Sequence, residues 1–502
     1  MKRIIFVVCL LLAMVLGVSA CSAKPMRPMG PSYDANLGLD VQATPAPGDN
    51  YQHDAIKEND FSTTDKTNTS YFSLDRNTAS YTYMRREIEN NSKPSTGAVR
   101  LEEYVNYFSY NYARPTEGEQ LALSGSLFDC PWNGAHKLFT IGVAAEEVEM
   151  GSQPNNIVFL IDVSGSMYGD DRLGLIQQAF TMLLENLTEN DRVSIVTYAS
   201  GVRTALDGTR GSEKTQIANI LQDLEAGGST NGEGGIQLAY QVAQKHFIQG
   251  GNNRVILATD GDFNVGVSSK DGLKQLISEK RESGIFLSVL GVGMLNTNDS
   301  TMNTLATNGN GNYAYLDSVS EARKVLVNEI GGTFNVVAKD AKIGVTFNKD
   351  VVASYRLIGY ESKMMSEDEF NDQKKDAGEI GSGHTVTAVY ELELKQDAEG
   401  EIATAELRYK VPQKGDSAEE NKSISKTYTT ADYTALPDED SIFIGCVVEY
   451  GLVLRDSQYK NDATLTAVKA RLETLQSVVG ENADQFRAEF LKLVEKAIVL
   501  YR

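Results

Sequence analysis

Five apolar residues in a row, Ile157 to Ile161, stop at an acid, Asp162. The same pattern returns down the middle of the chain at Val193–Tyr198, Val255–Ala258, Ile285–Val292 and Asn312–Leu316. Unbroken apolar runs of this length predict parallel strands covered on both faces. Between them the apolar residues fall at helical spacing: Ile176, Ala179, Phe180, Leu183 and Leu187, then Ile217, Ile220, Leu221 and Leu224, then Ile236, Ala239, Tyr240, Ala243 and Phe247. A helix around Leu273, Leu276 and Ile277 and a closing helix at Glu321–Ile330 complete the series. Strands alternating with helices predict an α/β fold, a doubly wound and mostly parallel sheet, over residues 151–332. In such a sheet ligands bind beyond the carboxyl ends of the strands.

The flanks have a different texture. Gln120–Phe128 and Lys137–Val143 alternate like strands, and Arg100–Tyr107 reads as a short helix. After the central region, Lys342–Phe347, Ser354–Tyr360, His384–Leu394, Ala403–Val411 and Ser423–Thr429 read as antiparallel strands, with Glu361–Gly383 a polar connection. Residues 69–150 and 333–435 are therefore expected to form one β-rich support domain, with the α/β domain inserted between its halves. Residues 436–502 close the chain with two helices, one presenting Phe443, Cys446, Val447, Tyr450 and Leu454, the other Phe486, Phe490, Leu493, Val494 and Ala497.

The first twenty residues carry an address. Lys2 and Arg3 precede the apolar run Ile4–Val18, and Ser19-Ala20 leads into Cys21. A basic start, a short apolar stretch and a small-residue exit describe a signal peptide, and the run is too short for a comfortable membrane span. Val18-Ser19-Ala20-Cys21 resembles the bacterial lipobox, which implies a lipid on Cys21 and a location outside the cytoplasm on the cell membrane or outer membrane. Residues 21–68, with Pro25, Pro28, Pro31, Pro45 and Pro47 and no apolar periodicity, read as a flexible tether. The membrane is expected to hold the protein through this anchor only. Acids outnumber bases by 68 to 47, so the chain lacks the basic footprint of a nucleic-acid binder.

One constellation carries chemistry. Asp162, Ser164 and Ser166 sit at alternate positions just past the first apolar strand, where a turn can aim all three at one point. Thr230 lies in a glycine-rich loop, Gly227–Asn231, before a helix, and Asp260 follows another strand. Strand ends of one parallel sheet meet on one edge. Two carboxylates and three hydroxyls are hard oxygen ligands, suited to Mg²⁺, Mn²⁺ or Ca²⁺ and not to zinc or copper. With so few charged ligands, a bound cation retains positive charge and accepts an outside carboxylate.

These five positions, in order and spacing, match the metal-ion-dependent adhesion site (MIDAS) of von Willebrand factor type A domains, a resemblance that covers about 155–330. It implies that Asp162, Ser164, Ser166 and Thr230 contact the metal directly or through water, that Asp260 helps through water, and that an acidic side chain of a protein partner completes the coordination. The flanking segments Phe72–Asp75, Val99–Phe108, Cys130–Asn133, Tyr355–Glu361 and Asp376–His384 resemble those of bacterial von Willebrand factor A lipoproteins with their own N-terminal segment and C-terminal extension.

Other chemistries fit less well. An aspartyl-nucleophile phosphatase needs a second acid two residues after the first, and that position is Ser164. Neither a G-x-S-x-G elbow nor a P-loop occurs. His53, His136, His246 and His384 show no metal-binding spacing, and His384 reads as a turn or strand-edge residue. Cys130 and Cys446 are either a disulfide or two buried thiols, and Trp132 reads as a core anchor. The expected function is non-enzymatic: cation-dependent protein–protein binding at the cell envelope, in adhesion or complex assembly. A metal-dependent envelope phosphoesterase using the same strand ends, or a structural domain with a buried ion, are the alternatives.

Overall fold

The structure, a computed structural model, describes residues 56–502 apart from 75, 149–152, 262–269, 282–283, 294–298, 330, 333–334 and 413–418. The expected signal peptide, Cys21 and most of the expected tether lie outside the described residues.

Among the described residues, six strands form the central sheet in the order Tyr313–Tyr315, Phe286–Gly291, Asn252–Thr259, Asn155–Asp162, Arg192–Tyr198, Val202–Arg210. All neighbours are parallel except the last pair. Every residue of Asn155–Asp162 is buried, which is why its sequence shows no polar alternation. Helices cover both faces. Leu173–Leu183, Lys214–Gln222 and Val319–Arg323 pack on one side, where Phe159 stacks on Phe180 at 4.1 Å between ring centroids. Gly232–Lys245, Lys270–Arg281 and Asp299–Asn308 pack on the other. The strand Val202–Arg210 escapes the hydrophobic pattern because it is an edge strand with Leu206 as its one buried residue. The chain leaves Asn155–Asp162 for a neighbour on one side and returns to a neighbour on the other, so the sheet's switch point lies beside Asp162.

The two flanks interleave. One antiparallel sheet runs Ser62–Thr63, Val352–Ile358, Thr385–Leu394, Lys137–Ala145, Leu121–Asp129. A second is built on Val336–Phe347, which pairs with Glu401–Val411 on one edge and with Thr69–Ser73 and Gly378–Gly381 on the other, while Glu420–Thr429 extends it. Phe72, Phe139, Ile343 and Tyr390 are among the side chains that fill the core between the two sheets. Strands from before and after the α/β region thus pair directly, as Val389 does with Thr140. A helical layer covers the first sheet. Glu439–Arg455 and Gln485–Leu500 pack there with Ala79–Glu89, Leu101–Asn106 and Leu465–Leu472 around the fully buried Trp132. Cys130 and Cys446 are free thiols in this layer, and burial pushes them up to about 12 and about 11.

Several features differ from the sequence reading. The tether expected to reach residue 68 ends earlier: Asn59 donates to the carbonyls of Leu357 and Gly359, Ser62–Thr63 pairs with Val352–Ile358, and Thr64 bonds the Val352 carbonyl at 2.6 Å. These residues are held by backbone pairing and polar side-chain bonds, which leave no apolar period. The connection Glu361–Gly383 contains the helix Glu367–Asn371, closed by a Ser366/Glu369 capping box, and the strand Gly378–Gly381. The helix Ala79–Glu89 has no legible stripe because it buries Ser80, Thr82 and Arg85 together with its apolar residues.

That helix joins the parts. Arg85 grips Asp317 with two nitrogens at 2.6 and 2.7 Å and reaches Glu321 at 2.8 Å, and Tyr107 also donates to Glu321 at 2.7 Å. Arg76 holds Glu329 with two nitrogens at 2.8 and 2.9 Å, joined by Lys324 at 2.7 Å. Burial raises the Glu329 carboxyl, but Arg76 and Lys324 outweigh it and hold the group well below the usual carboxylate range. Replacing Arg85 with Ala strands Glu321, which is fully buried, and should destabilise the protein by about 3–5 kcal/mol in urea unfolding.

Glu102 is a carboxyl of the opposite kind. It is buried against Gly359, where a Cβ would come within 2.6 Å of the Glu102 carboxylate, and burial with the neighbouring Glu361 and Glu103 pushes Glu102 up to about 7. The native state therefore holds this proton more tightly than the unfolded chain. Stability is expected to fall as pH rises from about 4.5 through about 7, by up to about 3 kcal/mol. In Glu102→Gln that part of the pH dependence should vanish when melting is followed across pH 5–8.

Candidate functional site

Asp162 is the last residue of the central strand and is fully buried. Its Oδ1 accepts the Ser164 amide at 2.9 Å, and its Oδ2 accepts the Thr259 hydroxyl at 3.1 Å. Thr259 closes the neighbouring strand, and its hydroxyl also accepts the Gly261 amide at 3.1 Å, which folds the chain so that Asp260 follows directly. The two strand ends are therefore tied to each other through the Asp162 carboxylate. Asp260 is itself buried.

Past Asp162 the chain turns. Val163 donates its amide to the Tyr198 carbonyl at 3.0 Å, and a short 3-10 turn runs over Gly165–Met167. That turn brings the Ser164 and Ser166 hydroxyls to within 3.0 Å of each other. Ser164 is buried and Ser166 is half-buried, so the pair leads from the floor of the site toward solvent. Tyr168, two residues on, is 81% exposed.

The glycine-rich loop is stitched to this turn. Gly227 donates to the Val163 carbonyl at 2.8 Å, and Gly165 donates to the Gly228 carbonyl at 2.9 Å. Gly228 has φ 87°, and a Cβ there would lie 2.5 Å from the Ser200 hydroxyl. Ser200 accepts the Ser229 amide at 2.9 Å. Thr230 follows and is buried, and Asn231 caps the helix Gly232–Lys245 by accepting from Gly234 at 3.1 Å. The helix thus starts right after Thr230, with its free amides and positive dipole end at this loop.

The structure brings the loops of Asp162, Ser164, Ser166 and Thr230 together at the switch point, with Asp260 at the adjoining strand end. The donor set fits a hard divalent cation. Among the described residues no basic side chain pairs with Asp162, so a buried carboxylate lacks a countercharge. Burial first, and then the nearby Asp260, push Asp162 up to about 6 against the hydrogen bonds from Ser164 and Thr259. A cation held by Asp162, Ser164, Ser166 and Thr230 would supply the missing positive charge. Sequence reasoning missed Thr259, which orients the Asp162 carboxylate, and Arg172, whose Nη1 donates to the Ser166 carbonyl at 2.6 Å. Thr259 was legible as the residue joining an apolar strand to Asp260. Arg172 carries no sequence signal.

His384, by contrast, lies outside this site. It is buried at the turn before Thr385–Leu394, and burial together with Arg76 pulls its ring down to about 3.

Comparison with known proteins agrees with this architecture. Residues 156–329 match the von Willebrand factor type A domain family, 332–500 match the family described as "Uncharacterized protein YfbK, C-terminal", and 47–140 match one described as "von Willebrand factor". The chain is 39% identical over 453 residues to YfbK of Escherichia coli K12, covering 85% of this chain and 77% of that protein. It is 30% identical over 148 residues to mouse inter-alpha-trypsin inhibitor heavy chain H2, covering 28% of this chain and 16% of that protein. Among solved structures, a von Willebrand factor type A protein from Catenulispora acidiphila aligns with a TM-score of 0.41 at 16% identity, over 71% of this chain and 86% of that one. The chain belongs to the YfbK family and carries a von Willebrand factor type A domain between its flanking segments.

Proposed function

We propose that this chain is a lipid-anchored, extracytoplasmic binding protein that captures a protein partner through a divalent cation. Von Willebrand factor type A domains typically mediate metal-dependent protein–protein interaction. The observation that carries the reading here is the stack of oxygens at the switch point: a buried, uncompensated Asp162 beneath two serine hydroxyls 3.0 Å apart. Asp162, Ser164, Ser166 and Thr230 would hold the ion, with Asp260 beside them. An ion bound there acts as a Lewis acid for an incoming carboxylate.

The chain's own residues do the rest. Thr259 and the Ser164 amide hold both Asp162 oxygens in place, so the carboxylate need not reorganise when an ion arrives. Burial of Ser164 and Thr230 keeps the floor dry, while half-buried Ser166 leaves the outer side open. An open side is what a partner's acidic side chain requires, and a closed structural ion site would not leave one. Mg²⁺, Mn²⁺ and Ca²⁺ all suit this oxygen set. The lipid anchor on Cys21 is part of the same proposal and rests on the signal-like N-terminus and its lipobox. No helix among the described residues is long and apolar enough to cross a membrane.

Isothermal titration of the chelator-treated protein should show one divalent site, and Asp162→Ala should weaken it by about 100-fold or more while the cation-free protein still folds cooperatively. Equal binding by wild type and variant would remove the site from this position. In living bacteria, labelled palmitate should enter the wild-type protein and be absent from Cys21→Ala. Labelling of both would place the lipid elsewhere, and labelling of neither would remove the anchor.

A further inference from the structure

The metal loop is tethered to a part of the molecule outside the α/β domain. Arg172 precedes the helix Leu173–Leu183, and its guanidinium donates to the Ser166 carbonyl at 2.6 Å, a short charge-assisted bond. The same side chain lies flat on Gly293. A Cβ at Gly293 would come within 2.7 Å of Arg172 Nε and 3.1 Å of its Cγ, and Gly293 has φ 82°. Only glycine satisfies both conditions. Gly293 is pinned from its other side: its carbonyl accepts Arg86 Nη1 at 2.8 Å and the Tyr315 hydroxyl at 2.6 Å. Arg86 lies 5.6 Å over the Tyr315 ring and belongs to the flanking helix Ala79–Glu89. Two arginines from different parts of the chain thus clasp one glycine, and one of them holds the peptide that follows Ser166.

We propose that Arg172 is a positioning residue for the metal loop, and that Arg86 of the N-terminal flanking helix supports it through Gly293. The orientation of the Ser166 peptide sets where the Ser166 hydroxyl stands relative to Ser164. The flanking segment is then a working part of the site as well as a support. The cation arm of this proposal rests on the metal reading above, and the loop-order arm stands without it.

The two possible roles of Arg172 predict opposite signs. A guanidinium near a cation site repels the cation, so its removal would tighten binding if charge alone mattered. Loss of positioning weakens binding instead. Arg172→Ala is expected to lower Mn²⁺ affinity about 10-fold in calorimetric titration, with Arg172→Lys recovering part of it. Arg86→Ala is expected to lower it a few-fold, and the double variant to be no weaker than Arg172→Ala alone, because both act through one chain of contacts. Unchanged or tighter binding in Arg172→Ala overturns the positioning role, and full additivity overturns the link through Gly293.

Hydrogen exchange on the cation-free protein supplies the independent arm. The Met167 and Tyr168 amides bond the Ser164 and Gly165 carbonyls. In Arg172→Ala they should exchange about 10-fold faster, with the strand Asn155–Asp162 unchanged as proof of folding. Unchanged exchange at both amides overturns the proposal whatever the cation does. Faster exchange in a protein whose wild type takes up no Mn²⁺ would uphold the positioning role and refute the metal reading.

Discussion

The arrangement of this molecule depends on charges that have been taken out of water and must stay paired. Arg85 and Arg76 come from the N-terminal segment, while Asp317, Glu321 and Glu329 come from the end of the α/β domain. Desolvating one such ion costs several kcal/mol, and only close, multiply bonded partners repay it. Each arginine meets its main carboxylate partner with two nitrogens, and each cluster includes an additional donor, Tyr107 or Lys324. An apolar contact tolerates sliding, but this one does not, because a shift of a few ångströms would leave the fully buried Glu321 without its cation and Glu329 without its two. Arg281 on Asp376, at 2.8 Å, makes a third ionic bridge from the α/β domain to the β-rich region. The α/β domain is therefore seated in one orientation against its flanks.

The candidate metal site inherits that rigidity. Its floor is set by two neighbouring strand ends tied through Asp162 and Thr259, and its walls are two loops stitched by backbone bonds between Gly165 and Gly228 and between Gly227 and Val163. The helix that carries Arg85 for the ionic joint carries Arg86 one residue later for the Gly293 contact. One helix thus serves both the seat of the domain and the tether of its loop, which gives a physical reason for an α/β domain to be held inside flanks of its own.

Two carboxyls show how environment decides chemistry here. Glu329 is half-buried and Glu102 buried, yet the first carboxyl is held far below its ordinary range and the second is raised to about 7. The difference is the company: Arg76 and Lys324 surround the first, while Glu361 and Glu103 crowd the second. Asp162 lies between these cases, buried and hydrogen-bonded but without a basic partner.

The sequence by itself determined the α/β fold, because a parallel strand buried on both faces is written as an unbroken apolar run, and Ile157–Ile161 within Asn155–Asp162 is one. It also marked Asp162, Ser164, Ser166, Thr230 and Asp260 as candidates, since short polar motifs at strand ends are local features. The tertiary structure alone decided what supports them. Gly293 lies 121 residues from Arg172 and 207 from Arg86, the two side chains that meet it, and nothing local distinguishes these arginines from surface ones. The helix Ala79–Glu89 stayed hidden for the same reason: its buried polar residues make sense only once Asp317, Glu321 and the Ala98 carbonyl are brought to meet them. Apolar periodicity records which residues avoid water. Which charges find each other depends on contacts between distant segments, and those exist only in the folded chain.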